Sequence, residues 1–233
     1  MTGDVHPVGR VDQLARQLLT ERGPQELLDR AVAFTAGGLD AASSVSISLV
    51  DKRRRISTAA ASNDLARTAD ELQYRLGEGP CLDAVWDPGA VHCRDLDADP
   101  RWPRWAPAAT VDLEVHSTLS IPLSTHERTL GSINVYARAR DAFDPSAVAL
   151  AGSLATHTAV AYARALDRHD LETALASRNL IGQAQGILME RYRITAGRAF
   201  EVLATASQQS NTKLVEVARR VVDTGVTPPV TRT

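Results

Sequence analysis

The stretch Ser177–Val222, SRNLIGQAQGILMERYRITAGRAFEVLATASQQSNTKLVEVARRVV, decides how the chain ends and so how the rest is read. Leu180, Ala184, Ile187 and Leu188, with Arg191 following, recur at helical spacing, so a helix here carries one apolar stripe. Thr195 is placed to cap a second helix, whose apolar side reads Ala196, Ala199, Phe200, Leu203 and Ala206. Asn211 is placed to cap a third, with Leu214, Val217, Ala218 and Val221 on one face. The connections Arg193-Ile194 and Ser207–Ser210 are short, so three helices are expected to fold back around Phe200 as a compact head.

Outside its apolar face this segment is polar and slightly basic. From Leu171 to Gly225 the cations are Arg178, Arg191, Arg193, Arg198, Lys213, Arg219 and Arg220, against Glu172, Glu190, Glu201, Glu216 and Asp223. The ordered run IGQAQGILMERY, then AF-x-x-L, then S-x-x-x-N-x-K-L-x-x-VA resembles an ANTAR domain. That resemblance implies a three-helix RNA-binding module of bacterial antitermination regulators, here 171–225, with RNA stem-loops as partner. Gln185 stands where that family often carries Lys, which removes one phosphate partner. The resemblance assigns Arg191, Arg193, Lys213 and Arg219 to RNA, with Arg178 and Gln185 beside them. Ser207 and Asn211 flank the turn into the third helix, where free N–H groups can hold a phosphate. A solvated, salt-bridged helix surface is the competing account of the cations, and capping alone accounts for Ser207 and Asn211.

At 233 residues, with 44% of them hydrophobic, the chain has room for one or two buried cores. A net charge of −2 offers nucleic acid no global attraction, so any RNA contact must be a local patch. Cys81 and Cys93 are the only cysteines, too few for a disulfide scaffold and not in CxxC spacing. The start, MTGDVHPVGRVDQ, has no apolar export core, and the charge-free Ala147–Ala163 is too short and weakly apolar for a membrane span. A cytoplasmic protein without membrane contact is expected.

Taken in order, residues 1–20 read as an N-terminal helix and tail, and Glu26–Leu39 as a further helix after the Gly23-Pro24 break. SVSISLV (Ser44–Val50) then alternates apolar residues with Ser, as a half-buried strand does. Asp51–Arg55 is a turn into a second strand, Ile56–Ser62; a helix over Asp64–Tyr74 and a glycine-punctuated loop, LGEGPCLDAVW, follow. Ala90–Arg94 reads as a strand, Arg101–Val111 as a helix, and Thr118–Leu123 and Leu130–Tyr136 as a hairpin around HERTLG. This order predicts an α+β domain on an antiparallel sheet with flanking helices. GEGPCLDA, DPRWPRWAP, STLSIPL and LGSINVYA, in that order, resemble a GAF domain over 21–165. The resemblance implies a sensory fold with a cavity on one side of the sheet. It implies a small-molecule effector without naming it, since fold does not fix ligand.

Between the two, Asp144 and Pro145 start a helix, and no proline interrupts 146–193. Leu150, Leu154, Ala161 and Ala165 are spaced for a narrow helix–helix seam that Leu171 and Leu175 resume. A long connecting helix, with 146–176 as its dimer segment, is therefore expected to pair with its twin in a parallel homodimer. Residues 226–233 read as a disordered tail.

Four further side chains invite two accounts each. Cys81 lies in a Gly-Pro turn where a helix N-terminus would lower a thiol pKa, or it is an inert buried side chain. Trp86, Trp102 and Trp105 line a ligand cavity or simply pack. GEGPC lacks the lysine and hydroxyl of a phosphate loop, so nucleotide hydrolysis is rejected. No metal site is expected, and the cofactor stays open, with a small-molecule ligand in the GAF-like domain as the candidate. Three functions compete: an RNA-binding sensor-regulator that is not an enzyme, a GAF-type thiol-dependent methionine sulfoxide reductase or redox sensor using Cys81 and Cys93, and a DNA-binding helix-turn-helix. The last lacks a recognition helix rich in Arg, Asn and Gln.

Overall fold

The computed structural model describes residues 13, 16–18, 21, 23–87 and 89–226. Residues 13 and 16–18 are helical, and the remainder of the expected N-terminal segment, like 227–233, lies outside the described residues. The chain divides into two compact units, the first ending at Leu166 and the second beginning at Asp167.

The first unit is built on a five-stranded antiparallel sheet of order β2-β1-β5-β4-β3. Its strands are β1 (Ser44–Val50), β2 (Ile56–Ala61), β3 (Val91–Cys93), β4 (Ser117–Ser124) and β5 (Thr129–Ala137). The helices are α1 (Pro24–Gly38), α2 (Asp64–Leu76), α3 (Pro80–Trp86), α4 (Trp105–Leu113) and α5 (Pro145–Tyr192). Because strand side chains alternate, register decides what each face carries. Ile47 pairs with Ile133, which pairs with Ile121; Val45 pairs with Val135, which pairs with Leu119. That apolar face is buried under Leu27, Leu28, Ala31 and Val32 of α1 and Ala151, Leu154, Ala155 and Ala159 of α5. Gly131 of β5 pairs with Leu49 of β1. A Cβ there would lie 1.8 Å from the Ser48 carbonyl oxygen, so no side chain fits.

The opposite face carries Ser46, Ser48, Thr118, Ser120, Ser132, Asn134 and Tyr136, and it too is buried. The half-buried strand expected for SVSISLV is therefore buried on both sides over its first five residues. The cause lies outside the strand: α2, α4 and the segment leading into α4 cover the polar face with Ala66, Ala69, Trp102, Trp105 and Ala109.

Helix α5 starts as its sequence says, with the Asp144 carboxylate accepting from Ala147 N–H at 2.8 Å. Its leucines do not divide as expected. Leu150, Leu154 and Ala165 are consumed inside this chain's own apolar core, with Ala161 packed against it, so the front of the expected seam is not free to pair.

The second unit comprises the end of α5 with α6 (Ala196–Gln209) and α7 (Leu214–Thr224). Its core is Ala184 and Leu188 of α5, Ala199, Val202 and Leu203 of α6, and Val217, Ala218 and Val221 of α7. Thr195 caps α6, its side chain accepting from Arg198 N–H at 3.3 Å. Two expectations fail here. Phe200 is 43% exposed rather than the hub. The buried stripe is Ala199, Val202 and Leu203, and Phe200, one residue on from Ala199, is turned about 100° from it. Nor does Asn211 cap α7: the cap position is Lys213, and Asn211 takes φ 47° inside the turn, a conformation its short polar side chain tolerates.

Candidate nucleic-acid interface and buried polar face

In the second unit the expected RNA-facing residues separate by what already holds them. Arg191 donates through Nη1 to the carbonyl of Gly225, at the C-terminal end of α7, where a cation suits the helix dipole. Gln185 Nε2 donates to Ala196 O at 3.1 Å and fastens the α5–α6 turn. Ser207 Oγ donates to Thr212 O at 2.6 Å across the α6–α7 turn. These three groups do structural work, which their sequence positions alone do not reveal. Arg193 lies 3.8 Å from Glu190 and Arg219 3.8 Å from Glu216, exposed pairs of the kind that contribute little and exchange readily. Arg178, Lys213 and Arg220 are exposed and have no ion pair among the described residues. They are the cations most open to a phosphate.

Phe200 is an exposed aromatic on α6, next in sequence to Glu201 and two residues from Arg198. Sequence reasoning placed it in the core; the signal that would have excluded it is the better-centred stripe 199, 202, 203 and 206.

The first unit holds a second constellation, on the polar face of its sheet. Asp70 of α2 is fully buried. Its Oδ1 accepts from Tyr136 OH at 2.5 Å and Asn134 Nδ2 at 3.1 Å; its Oδ2 accepts from Thr58 Oγ1 at 2.8 Å and Ser48 Oγ at 3.4 Å. Tyr74 OH lies 2.6 Å from Ser48 Oγ and 3.0 Å from Thr58 Oγ1. Gln73 donates to Tyr136 OH at 2.8 Å and accepts from Cys81 N–H at 2.8 Å. Burial pushes the Asp70 carboxyl above the ordinary carboxylate range, although the bonds from Tyr136, Thr58 and Asn134 pull the other way. Sequence analysis passed over Asp70, Asn134 and Tyr136. An Asp and a Gln one turn apart on the side of α2 that carries Ala66 and Ala69 were the available sign.

Cys81 belongs to this network: its Sγ donates to Ser48 Oγ at 3.2 Å and lies 3.4 Å from Ser132 Oγ. Burial, reinforced by the Asp70 charge, pushes its thiol up to about 12, opposite to the lowering expected of a helix N-terminus. Cys93 is buried in the α2–α4 cluster and is likewise pushed up to about 12, mainly by burial. Trp102 and Trp105 stack edge-to-face at 5.9 Å in the same cluster, with Trp102 Nε1 donating to Asp83 Oδ2 at 2.8 Å and Trp105 Nε1 to Ala69 O at 3.2 Å. Trp86 stands apart from them, 47% exposed.

A five-stranded antiparallel sheet with flanking helices and a buried polar face makes the first unit an α+β domain. Residues 21–163 match the GAF domain family and residues 169–222 the ANTAR domain family. The chain belongs to the GAF domain family, with an ANTAR domain following. Comparison with curated protein sequences gives no match. Among solved structures, the chain is similar to free methionine-R-sulfoxide reductase from Neisseria meningitidis, at 19% identity and TM-score 0.57, over 70% of this chain and 91% of that one. It is similar to the GAF domain of an Acinetobacter phosphoenolpyruvate-protein phosphotransferase, at 17% identity and TM-score 0.56, over 69% and 94%. Similarity to the reduced Staphylococcus aureus protein fRMsr is at 15% identity and TM-score 0.55, over 70% and 99%. At these identities the likeness establishes the fold alone. No helix among the described residues is long and apolar enough to cross a membrane.

Proposed function

We propose that this chain is a cytoplasmic sensor-regulator that binds RNA stem-loops through residues 169–222 and controls transcription termination, with the GAF domain as input. The observation that carries the reading is the ANTAR match over a three-helix unit that has its own core and presents unpaired cations. Base readout is expected at looped nucleotides, because paired A-form RNA hides its base edges in a deep groove. The chain acts as a parallel homodimer, and the pairing surface is Leu171 and Leu175. These are 61% and 53% exposed, one turn apart on α5, and outside both cores. A small-molecule effector acts on the first unit, and the Asp70–Asn134–Tyr136 network is the polar surface it would exchange with.

The test uses the full chain and a labelled hairpin RNA, with a termination template as second readout. Replacing Arg178 and Lys213 together by Ala should weaken binding and lower the salt slope by about one for each lost phosphate contact. Unchanged affinity with an unchanged slope would sink the reading.

The reductase alternative draws on the neighbours that bear that activity. What counts against it is the thiols: both are buried and pushed up to about 12, where the nucleophilic thiolate is scarce. Turnover of free methionine sulfoxide with a thiol reductant, lost in Cys81→Ser, would restore it.

A further inference from the structure

The turn between β1 and β2 reads Asp51-Lys52-Arg53-Arg54-Arg55, and all five residues are exposed. It is ordered by its own acid. Asp51 Oδ1 accepts from the N–H of Arg55 at 2.9 Å and of Arg53 at 2.8 Å, and Oδ2 accepts from Arg55 Nε at 2.8 Å. The carboxylate is thus occupied by Arg55 and the turn backbone. Lys52, Arg53 and Arg54 have no carboxylate partner among the described residues. Arg54, at φ 60°, lays its guanidinium 4.5 Å from the ring centroid of Trp86, the one exposed tryptophan of the three. Leu49 pairs with Gly131 and Ser124 with Thr129, so the β4–β5 turn leaves the same end of the sheet and adds exposed Arg128. Acids next to these residues in sequence are Asp51, Glu127 and Asp87, with Glu127 lying 3.6 Å from His126.

We propose that this basic turn and Trp86 form a second RNA-contacting surface, on the GAF unit, that takes single-stranded RNA. Consecutive cations on a fixed turn match a flexible chain of closely spaced phosphates. A guanidinium lying on an indole makes a flat cationic platform, and base stacking on aromatic and arginine planes holds single strands without reading sequence. An anionic membrane would instead favour a bare apolar wedge beside the cations, and here the guanidinium covers the indole face. An acidic protein surface would have no use for the stacked pair. The proposal rests on the RNA-binding reading for its partner, but its residues lie entirely outside the three-helix head. Its consequence is that unpaired nucleotides flanking a stem-loop add to the affinity the head supplies, by raising effective concentration.

The experiment measures the full chain against two labelled probes, an unstructured RNA of about ten nucleotides and a blunt hairpin. In the Lys52→Ala/Arg53→Ala/Arg54→Ala variant, binding of the single strand should fall about ten-fold, and its salt slope should shrink by about two. Hairpin binding should be unchanged. Trp86→Ala should weaken the single strand while leaving the salt slope as it was, since stacking releases no counterions. Circular dichroism melts of each variant confirm that the fold is intact. Equal single-strand affinity in the triple variant and the parent would overturn the proposal. So would a variant that loses only its pelleting with phosphatidylserine vesicles. A parent chain that holds the single strand but ignores the hairpin would support this surface and remove the role proposed for the head.

Discussion

Phe200 shows how one residue's meaning depends on helix phase. In sequence it continues an apolar side that begins at Ala196; in the fold it faces out while Leu203, three positions on, is fully buried. The two residues therefore predict opposite experiments. Phe200→Ala should leave the circular dichroism melt of the head nearly in place and weaken hairpin binding by about 1–3 kcal/mol, the range for losing a base–aromatic stack. Leu203→Ala removes a buried leucine from a core of eight residues and should cost roughly 2–5 kcal/mol of stability. If Phe200→Ala unfolds the head, its placement on the surface is wrong. Arg191 teaches the same lesson for charge. Its position invites a phosphate, but its partner is the Gly225 carbonyl, thirty-four residues away in sequence. No local pattern announces a contact of that span.

At the scale of the element, the sheet is the informative case. Its strands were legible from alternation, and the two hairpins fell where charge and glycine put them. What alternation misreads is the serine side. A strand with Ser at 44, 46 and 48 looks solvated on one face, and only the helices packed over it make that face an interior. A buried Asp70 among hydroxyls then has a consequence for pH. Its folded pKa is raised, so the folded state holds a proton that the unfolded chain releases at about 4. Stability from this group is fully present below that pH and is lost as pH rises toward the folded pKa. All three tryptophans lie in the GAF unit, so their fluorescence follows its melting. The parent chain should lose melting temperature as pH rises above the ordinary carboxylate range, and Asp70→Asn should flatten that slope. Parallel pH profiles in the two proteins would show that Asp70 does not carry it.

At the scale of the whole molecule, α5 belongs to both units, and its apolar residues have different employers along its length. Leu150 and Leu154 serve the sheet, Ala184 and Leu188 serve the head, and Leu171 and Leu175 serve neither. A charge at each site separates these roles. Leu154→Glu should collapse the tryptophan-reported melt, since it places a charge in a sealed core. Leu171→Glu with Leu175→Glu should leave that melt intact and shift sedimentation from dimer to monomer at micromolar concentration. Such a monomer should bind a one-loop RNA as the parent does and a two-loop RNA more weakly, because the second contact loses its effective concentration. A parent chain that sediments as a monomer, with and without RNA, would remove the dimer.

The sequence by itself determined which elements form and in what order, because caps, prolines and hydrophobic period act over a few residues, although α4 begins at Trp105 rather than Arg101 and α7 is capped at Lys213 rather than Asn211. It determined the order of two families along the chain for the same reason: their motifs are short ordered runs. Only the tertiary structure decided which polar residues are interior, which leucines of α5 are already occupied and which arginines are tied to a carbonyl. Each of those is a statement about what lies across a gap from a residue. Ser48, Asp70, Cys81 and Asn134 meet through side-chain hydrogen bonds spanning 22 to 86 positions. Packing of that range depends on register and on helix placement over the sheet, which no stretch of local pattern contains.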